Sequence, residues 1–209
     1  MKKYDVIPFI LAWLLALPAW AIETRPDTLV DNTAQEVLAI IRQDKNMTRS
    51  EILGLVEAKV LPHFNFTRMT RLAMGKNWSS AAPEQQKELV NEFRTLLVRT
   101  YSNALTDYSE YIIKVEPLKV KPEDTDTTVK TRVMQDHGQQ PVPIDYSMEK
   151  TGSGWKVYDV TVAGVSLVTN YRTTFNNQIR NGGVENLIKT LVDKNRSLIA
   201  ADKKAASVQ

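Results

Sequence analysis

The chain has 209 residues, 27 Lys and Arg against 24 Asp and Glu for a formal charge of +3, 43% hydrophobic residues, two histidines and no cysteine. That is the composition of an ordinary globular chain whose length suits one domain. It excludes a disulfide scaffold, a thiolate-held metal centre and a thiol nucleophile, and basic residues interspersed with acids exclude the charge footprint of a nucleic-acid binder.

In chain order, Lys2 and Lys3 precede an almost wholly apolar run over residues 6–17, and Ala19-Trp20-Ala21 supplies the small residues that a signal peptidase reads. Residues 1–21 are expected to be a cleaved export signal, because the whole stretch over residues 6–22 contains Pro8 and Pro18 and falls short of the ~20 residues of a spanning helix. Residues 22–199 then form a single α+β domain, and the small and polar residues 200–209 a disordered tail.

A first helix carries Val30, Ala34, Val37, Leu38 and Ile41 at spacings of three and four, and Asp44-Lys45-Asn46 breaks it. Thr48-Arg49-Ser50-Glu51 fits a capping box that opens a second helix ending near Pro62. Residues 64–74 read as a short apolar-aromatic helix closed by Gly75, and Pro83 suits the first turn of a long one. Leu89, Phe93, Leu96, Leu97, Tyr101, Ala104, Leu105 and Tyr108 trace one face of that long helix.

The period then changes from 3.6 to 2. Residues 111–120, the alternating Val129, Thr131 and Val133, the set Val142, Ile144, Tyr146 and Met148, and residues 155–162 read as four strands. Asp136-His137-Gly138 and Gly152-Ser153-Gly154 suit hairpin turns, so the simplest assembly is a four-stranded antiparallel meander. After Gly164 the helical period returns, is broken at Gly182-Gly183, and resumes to Ile199. N-terminal helices, meander and C-terminal helices make an α+β fold with one sheet face covered.

Catalytic sets are poorly supported. Asp136 and His137 are neighbours in a turn and point apart, His63 lies far off in sequence, and Asp145 belongs to the polar face of a half-wet strand although Asp159 sits in the next one. Gly152-x-Gly154 joins two strands and opens no helix, so it is no phosphate loop. No metal-ligand spacing occurs.

Apolar supply is the more informative feature. Three helical stripes and one sheet face compete for the same interior, which is either a close-packed dry core or a ligand cavity. The lining candidates on those stripes are Phe64, Met69, Phe93, Leu97, Tyr101, Val133, Tyr146, Met148, Trp155, Val168 and Phe175. Arg172 shares a stripe with Val168, Phe175 and Ile179; its guanidinium must reach water, meet an acid such as Asp159, or face an anionic ligand.

Several blocks of the sequence resemble the MlaC or toluene-tolerance family. They are Leu61-Pro62-His63-Phe64-Asn65-Phe66 with Met69, Ala73-Met74-Gly75 and Trp78; then Phe93, the run from Leu96 to Tyr101, and Tyr108; and most specifically Trp155 to Val160, Gly164 to Val168, Asn170-Tyr171-Arg172 and Phe175. The match spans residues 27–195, with Asn65 and Ala163 standing where the family favours an acid. The resemblance implies an NTF2-like cone with an apolar cavity between sheet and helices. It implies a periplasmic phospholipid carrier, not an enzyme, with phospholipid as cargo and no cofactor. The partners it implies are an outer-membrane lipoprotein-porin complex and an inner-membrane ABC transporter with a substrate-binding hexamer, and the role is upkeep of outer-membrane lipid asymmetry. Val165 matches the family's cavity-lining valine after the glycine, and Arg172 is expected near the phosphate end of the lipid.

Overall fold

The computed structural model describes residues 24–102, 110–134 and 140–206. The expected export signal, the turn at Asp136-His137-Gly138 and the end of the long helix at Tyr108 lie outside them.

Helix α1 (Pro26–Gln43) starts with Pro26, whose fixed φ suits the first turn, and buries Val30, Val37, Leu38 and Ile41. Helix α2 (Arg49–Leu55) opens on the expected capping box: the Glu51 amide donates to the Thr48 hydroxyl at 3.3 Å and the Thr48 amide to the Glu51 carboxylate at 2.7 Å. It continues through a π turn (Val56–Val60) and a 3-10 turn (Leu61–His63). Pro62 has no N–H to give and its ring crowds the carbonyl four residues back, so the helix cannot pass it unaltered. In α3 (Phe66–Met74), Asn65 caps the N-terminus by accepting from the Arg68 amide, and Gly75 ends it at φ 56°. Capping needs only a side-chain oxygen, so Asn65 serves where an acid was expected. Helix α4 (Pro83–Tyr101) begins at the predicted proline and buries Leu89, Phe93, Leu96 and Leu97.

The sheet is an antiparallel meander in the order β1 (Ile112–Val115), β2 (Asp126–Met134), β3 (Val142–Thr151), β4 (Gly154–Val162) and β5 (Val165–Ser166). Five strands thus replace the four expected. The added pair turns over Ala163 and Gly164 at φ 49° and 83°, both positive as a two-residue type I′ connection requires. A two-residue strand shows no alternation, and alanine does not advertise positive φ. Strand β1 is shorter than predicted because Pro117 has no N–H with which to extend the ladder beyond the Glu116 to Lys130 bond.

Helix α5 (Leu167–Ala206) is interrupted by non-helical backbone at Gly182 and Gly183, at the predicted break. The tail expected to be disordered from residue 200 is helical through Ala206. Asp202 holds it, pairing with Arg99 at 2.6 Å and with Arg49 of α2. Among the described residues no helix is long and apolar enough to cross a membrane.

Buried side chains separate into a helical cluster from α3, α4 and α5, a sheet cluster that also takes Val30 of α1, and a small one between α1 and α2. Phe64 packs against both of the larger two.

Candidate functional site

Strand register sets the inner face of the sheet. Val133 opposes Val142; Thr131 lies beside Ile144 and Val162; Val129 beside Tyr146 and Val160; Thr127 beside Met148 and Val157. Thr131 answers its own burial by donating its hydroxyl to the Ile144 carbonyl at 2.8 Å. Between Ser147 and Met148 the register shifts by one residue, so β4 gains Tyr158 as a bulge and Trp155 returns to the inner face beyond Val157. Met148, Trp155, Val157 and Val129 are buried together.

Tyr146, at the centre of this face, is pushed up to about 12 by burial. Its ring nevertheless keeps partial surface.

The facing helices supply Met69, Phe93, Leu97, Val168 and Phe175, all buried in the helical cluster. Phe93 meets Phe175 edge-on at 5.0 Å and Tyr171 at 4.9 Å, geometry that adds ~1 kcal/mol per pair to area burial. Burial pushes the Tyr171 phenol up to about 12, with Tyr101 beside it adding to the shift. Tyr171 and Phe66 belong to this apolar wall and were not among the sequence candidates. Tyr171 stands four residues before Phe175, and that helical spacing was the available signal.

The segment ahead of α3 ties the two walls. Phe64 bridges to Val157 in parallel, Asn65 donates its amide to the Val157 carbonyl at 2.8 Å, and Phe64 stacks on Phe66 at 5.7 Å. Arg68 then fastens α3 to the sheet. It pairs with Glu149 at 2.6 Å and Asp126 at 2.9 Å and lies 3.6 Å over the Tyr158 ring, while Asn65 donates to the other Glu149 oxygen at 2.7 Å.

The sequence candidates therefore divide. Phe64, Tyr146, Met148 and Trp155 belong to the sheet wall and Met69, Phe93, Leu97, Val168 and Phe175 to the helical wall, while Val133 is buried further along the sheet. Tyr101 and Val165 lie at the edge, 41% and 59% exposed. Val165, Val142 and Ile112 are exposed at one end of the sheet, where β1, β3 and β5 begin. Arg172 is elsewhere: its Nε donates to the Leu72 carbonyl at 2.9 Å near the C-terminus of α3, and it lines a cleft with Lys76 and Arg180.

Asp159 is committed to structure. Its carboxylate accepts from the Ser166 hydroxyl at 2.5 Å and the Val168 amide at 3.1 Å, capping α5. It is not the partner of Arg172. Asp145 sits across from Lys130 and Thr161 on the outer face, and the Asp159 carboxylate is turned to Ser166 and Val168. Asp136 and His137 are outside the described residues.

An open antiparallel sheet with one apolar cluster on its inner face and another among the helices defines an α+β class. The chain belongs to the MlaC protein family, whose model matches residues 31–193. It is 25% identical over 192 residues to the intermembrane phospholipid transport system binding protein MlaC of Haemophilus influenzae, covering 90% of each chain. It is 27% identical over 202 residues to the toluene tolerance protein ttg2D of Pseudomonas putida, covering 94% of this chain and 92% of that one. Its fold matches the solved structure of a phospholipid-binding protein from Ralstonia solanacearum in complex with a phospholipid, with TM-score 0.76 and 34% identity, over 84% of this chain and 99% of the other.

Proposed function

We propose that this protein is a periplasmic phospholipid carrier without catalytic activity, holding acyl chains between the sheet wall and the helical wall. The observation that carries the reading is the 34% identical relative whose whole chain superposes on this fold and whose structure contains a phospholipid. The physical chemistry agrees. Each buried methylene contributes ~0.8 kcal/mol, so two acyl chains supply ample affinity in water with no covalent step and no cofactor.

Within that reading Tyr146, Met148, Trp155 and Phe64 form one side of the lipid site, and Leu97, Val168, Met69, Phe93 and Phe175 the other. Val133 lies at the same end of the sheet as Val142 and Val165, and Tyr101 and Val165 stand at the mouth. The fully buried Phe93 and Phe175 shape the wall from behind through their mutual edge contact. Release requires the walls to part, and α3 together with the start of α5 is the moving side, since both join the sheet through polar contacts. The donor and acceptor complexes are an outer-membrane lipoprotein-porin assembly and an inner-membrane ABC transporter with its substrate-binding hexamer, so that shuttling preserves outer-membrane lipid asymmetry.

Native mass spectrometry of protein taken from the periplasm without detergent tests the carrier reading. A discrete adduct of phospholipid mass is the expected result. Bare protein that stays lipid-free after incubation with phospholipid vesicles overturns it and leaves a dry-cored binding adaptor.

A further inference from the structure

A concave feature lies on the outer side of the helical wall, reached by Ile179 from that wall. A cleft of about 650 Å³ is lined by Lys76 and Asn77, just after α3, and by Arg172, Asn176 and Arg180 on the first half of α5. Lys76, Arg172 and Arg180, all exposed, line it and no carboxylate does, and Arg180 also donates to the Asn177 side-chain oxygen. The bias is built into the sequence: residues 58–83 and 160–184, which supply the two sides, contain no Asp or Glu, although acids make up 24 of the 209 residues.

Local geometry holds the donors in place. Gly75 takes φ 56° and ψ −130°, which turns the chain sharply after α3, and a Cβ added there would meet nothing, so conformation and not space calls for glycine. Asn77 donates its amide to Asn176 at 2.8 Å and to the Met74 carbonyl at 3.3 Å, linking the two sides. That bond uses the Asn176 oxygen and leaves its amide hydrogens as donors. The Nε bond from Arg172 to the Leu72 carbonyl fixes the guanidinium plane while leaving its terminal nitrogens to the cleft.

Like charges are not gathered in a concavity for stability, since they repel, and three cations with no carboxylate do not suit an acyl chain. Fixed guanidinium and amide donors match a tetrahedral oxyanion. We infer that this cleft binds a phosphate group, at a site separate from the apolar interior and independent of whether that interior carries lipid.

The test uses the mature full-length protein, with inorganic phosphate titrated by calorimetry and by amide-shift mapping, alongside the double variant Lys76→Gln/Arg180→Gln. Neither side chain joins α3 to α5, so the variant folds as the wild type, and its lipid content by native mass spectrometry stays unchanged. Saturable phosphate binding with shifts at Asn77 and Asn176, weakened about tenfold in the variant, is the expected result. Sedimentation with phosphatidylcholine vesicles, with and without phosphatidic acid, identifies the source. Capture by phosphatidic acid that the variant loses assigns a lipid headgroup, whereas phosphate binding without capture assigns a free phosphate. No saturable binding, or equal binding by wild type and variant, overturns the site.

Discussion

At the scale of single residues, Val165 and Tyr146 test the apolar interior at one end of the sheet and at the centre of its inner face. Val165 is 59% exposed in a two-residue strand, so Val165→Glu changes stability by no more than ~0.5 kcal/mol. A carboxylate at the mouth opposes acyl chains strongly. The variant is therefore expected to melt like the wild type and to carry no lipid; a folded variant with wild-type lipid content removes Val165 from the site. Tyr146 titrates differently. Its phenol lies at about 12 in the fold against 10 when unfolded, so the unfolded chain deprotonates first and stability is lost as pH rises from 10 towards 12. Between pH 8 and pH 11 the wild type is expected to lose ~1 kcal/mol more than Tyr146→Phe. Urea midpoints of the two proteins at both pH values check this, and Tyr171 cancels because both carry it.

Two elements concentrate the joints of the fold. Helix α3 is held to the sheet by Arg68, which serves Glu149, Asp126 and the Tyr158 ring at once. Removing it leaves a half-buried Glu149 with only the Asn65 amide. Arg68→Ala is expected to cost about 2 kcal/mol, and a double-mutant cycle with Glu149→Ala is expected to recover most of that as coupling. Additive effects would show that α3 is held by apolar packing alone. Helix α5 turns at Gly183, whose φ of 74° and ψ of −173° belong to a region that side chains avoid. Gly183→Ala is expected to cost ~1–3 kcal/mol by thermal melting although a Cβ there meets no neighbour. Gly182 differs, since a Cβ on it would lie 2.8 Å from the Asn186 side chain.

At the scale of the whole molecule, the division of the core decides between a carrier and a rigid adaptor. Domains of this size usually bury one contiguous core, whereas here Phe64 packs against two large clusters that are otherwise distinct. Ligand that binds only the folded state stabilises it by mass action, by ~2.7 kcal/mol at a hundred times Kd. The lipid-loaded protein is thus expected to melt ~5–10 °C above the solvent-extracted protein. Equal melting temperatures would show that no ligand fills the interior.

Local chemistry made much of this fold legible before any coordinates. The Thr48–Glu51 box, Pro83 at the head of α4, Gly75 at the end of α3 and the break at Gly182-Gly183 act within one turn of chain, and each lies where the sequence places it. So does the inner face through Val133, Tyr146 and Met148, because side chains alternate along a strand whatever lies opposite. The fifth strand, the helical tail held by Asp202, the bulge that aims Tyr158 at Arg68 and the partner of Arg172 were not legible. The fifth strand is too short to show alternation, and the others are set by what a second segment places opposite, about which the side-chain period along one segment carries no information. Composition and period therefore determined an α+β chain with an excess of apolar faces. Only the tertiary structure decided that those faces pack as two walls, and that Arg172 turns from the apolar stripe it shares to a cleft beside α3, because the end of α3 sets the Leu72 carbonyl within its reach.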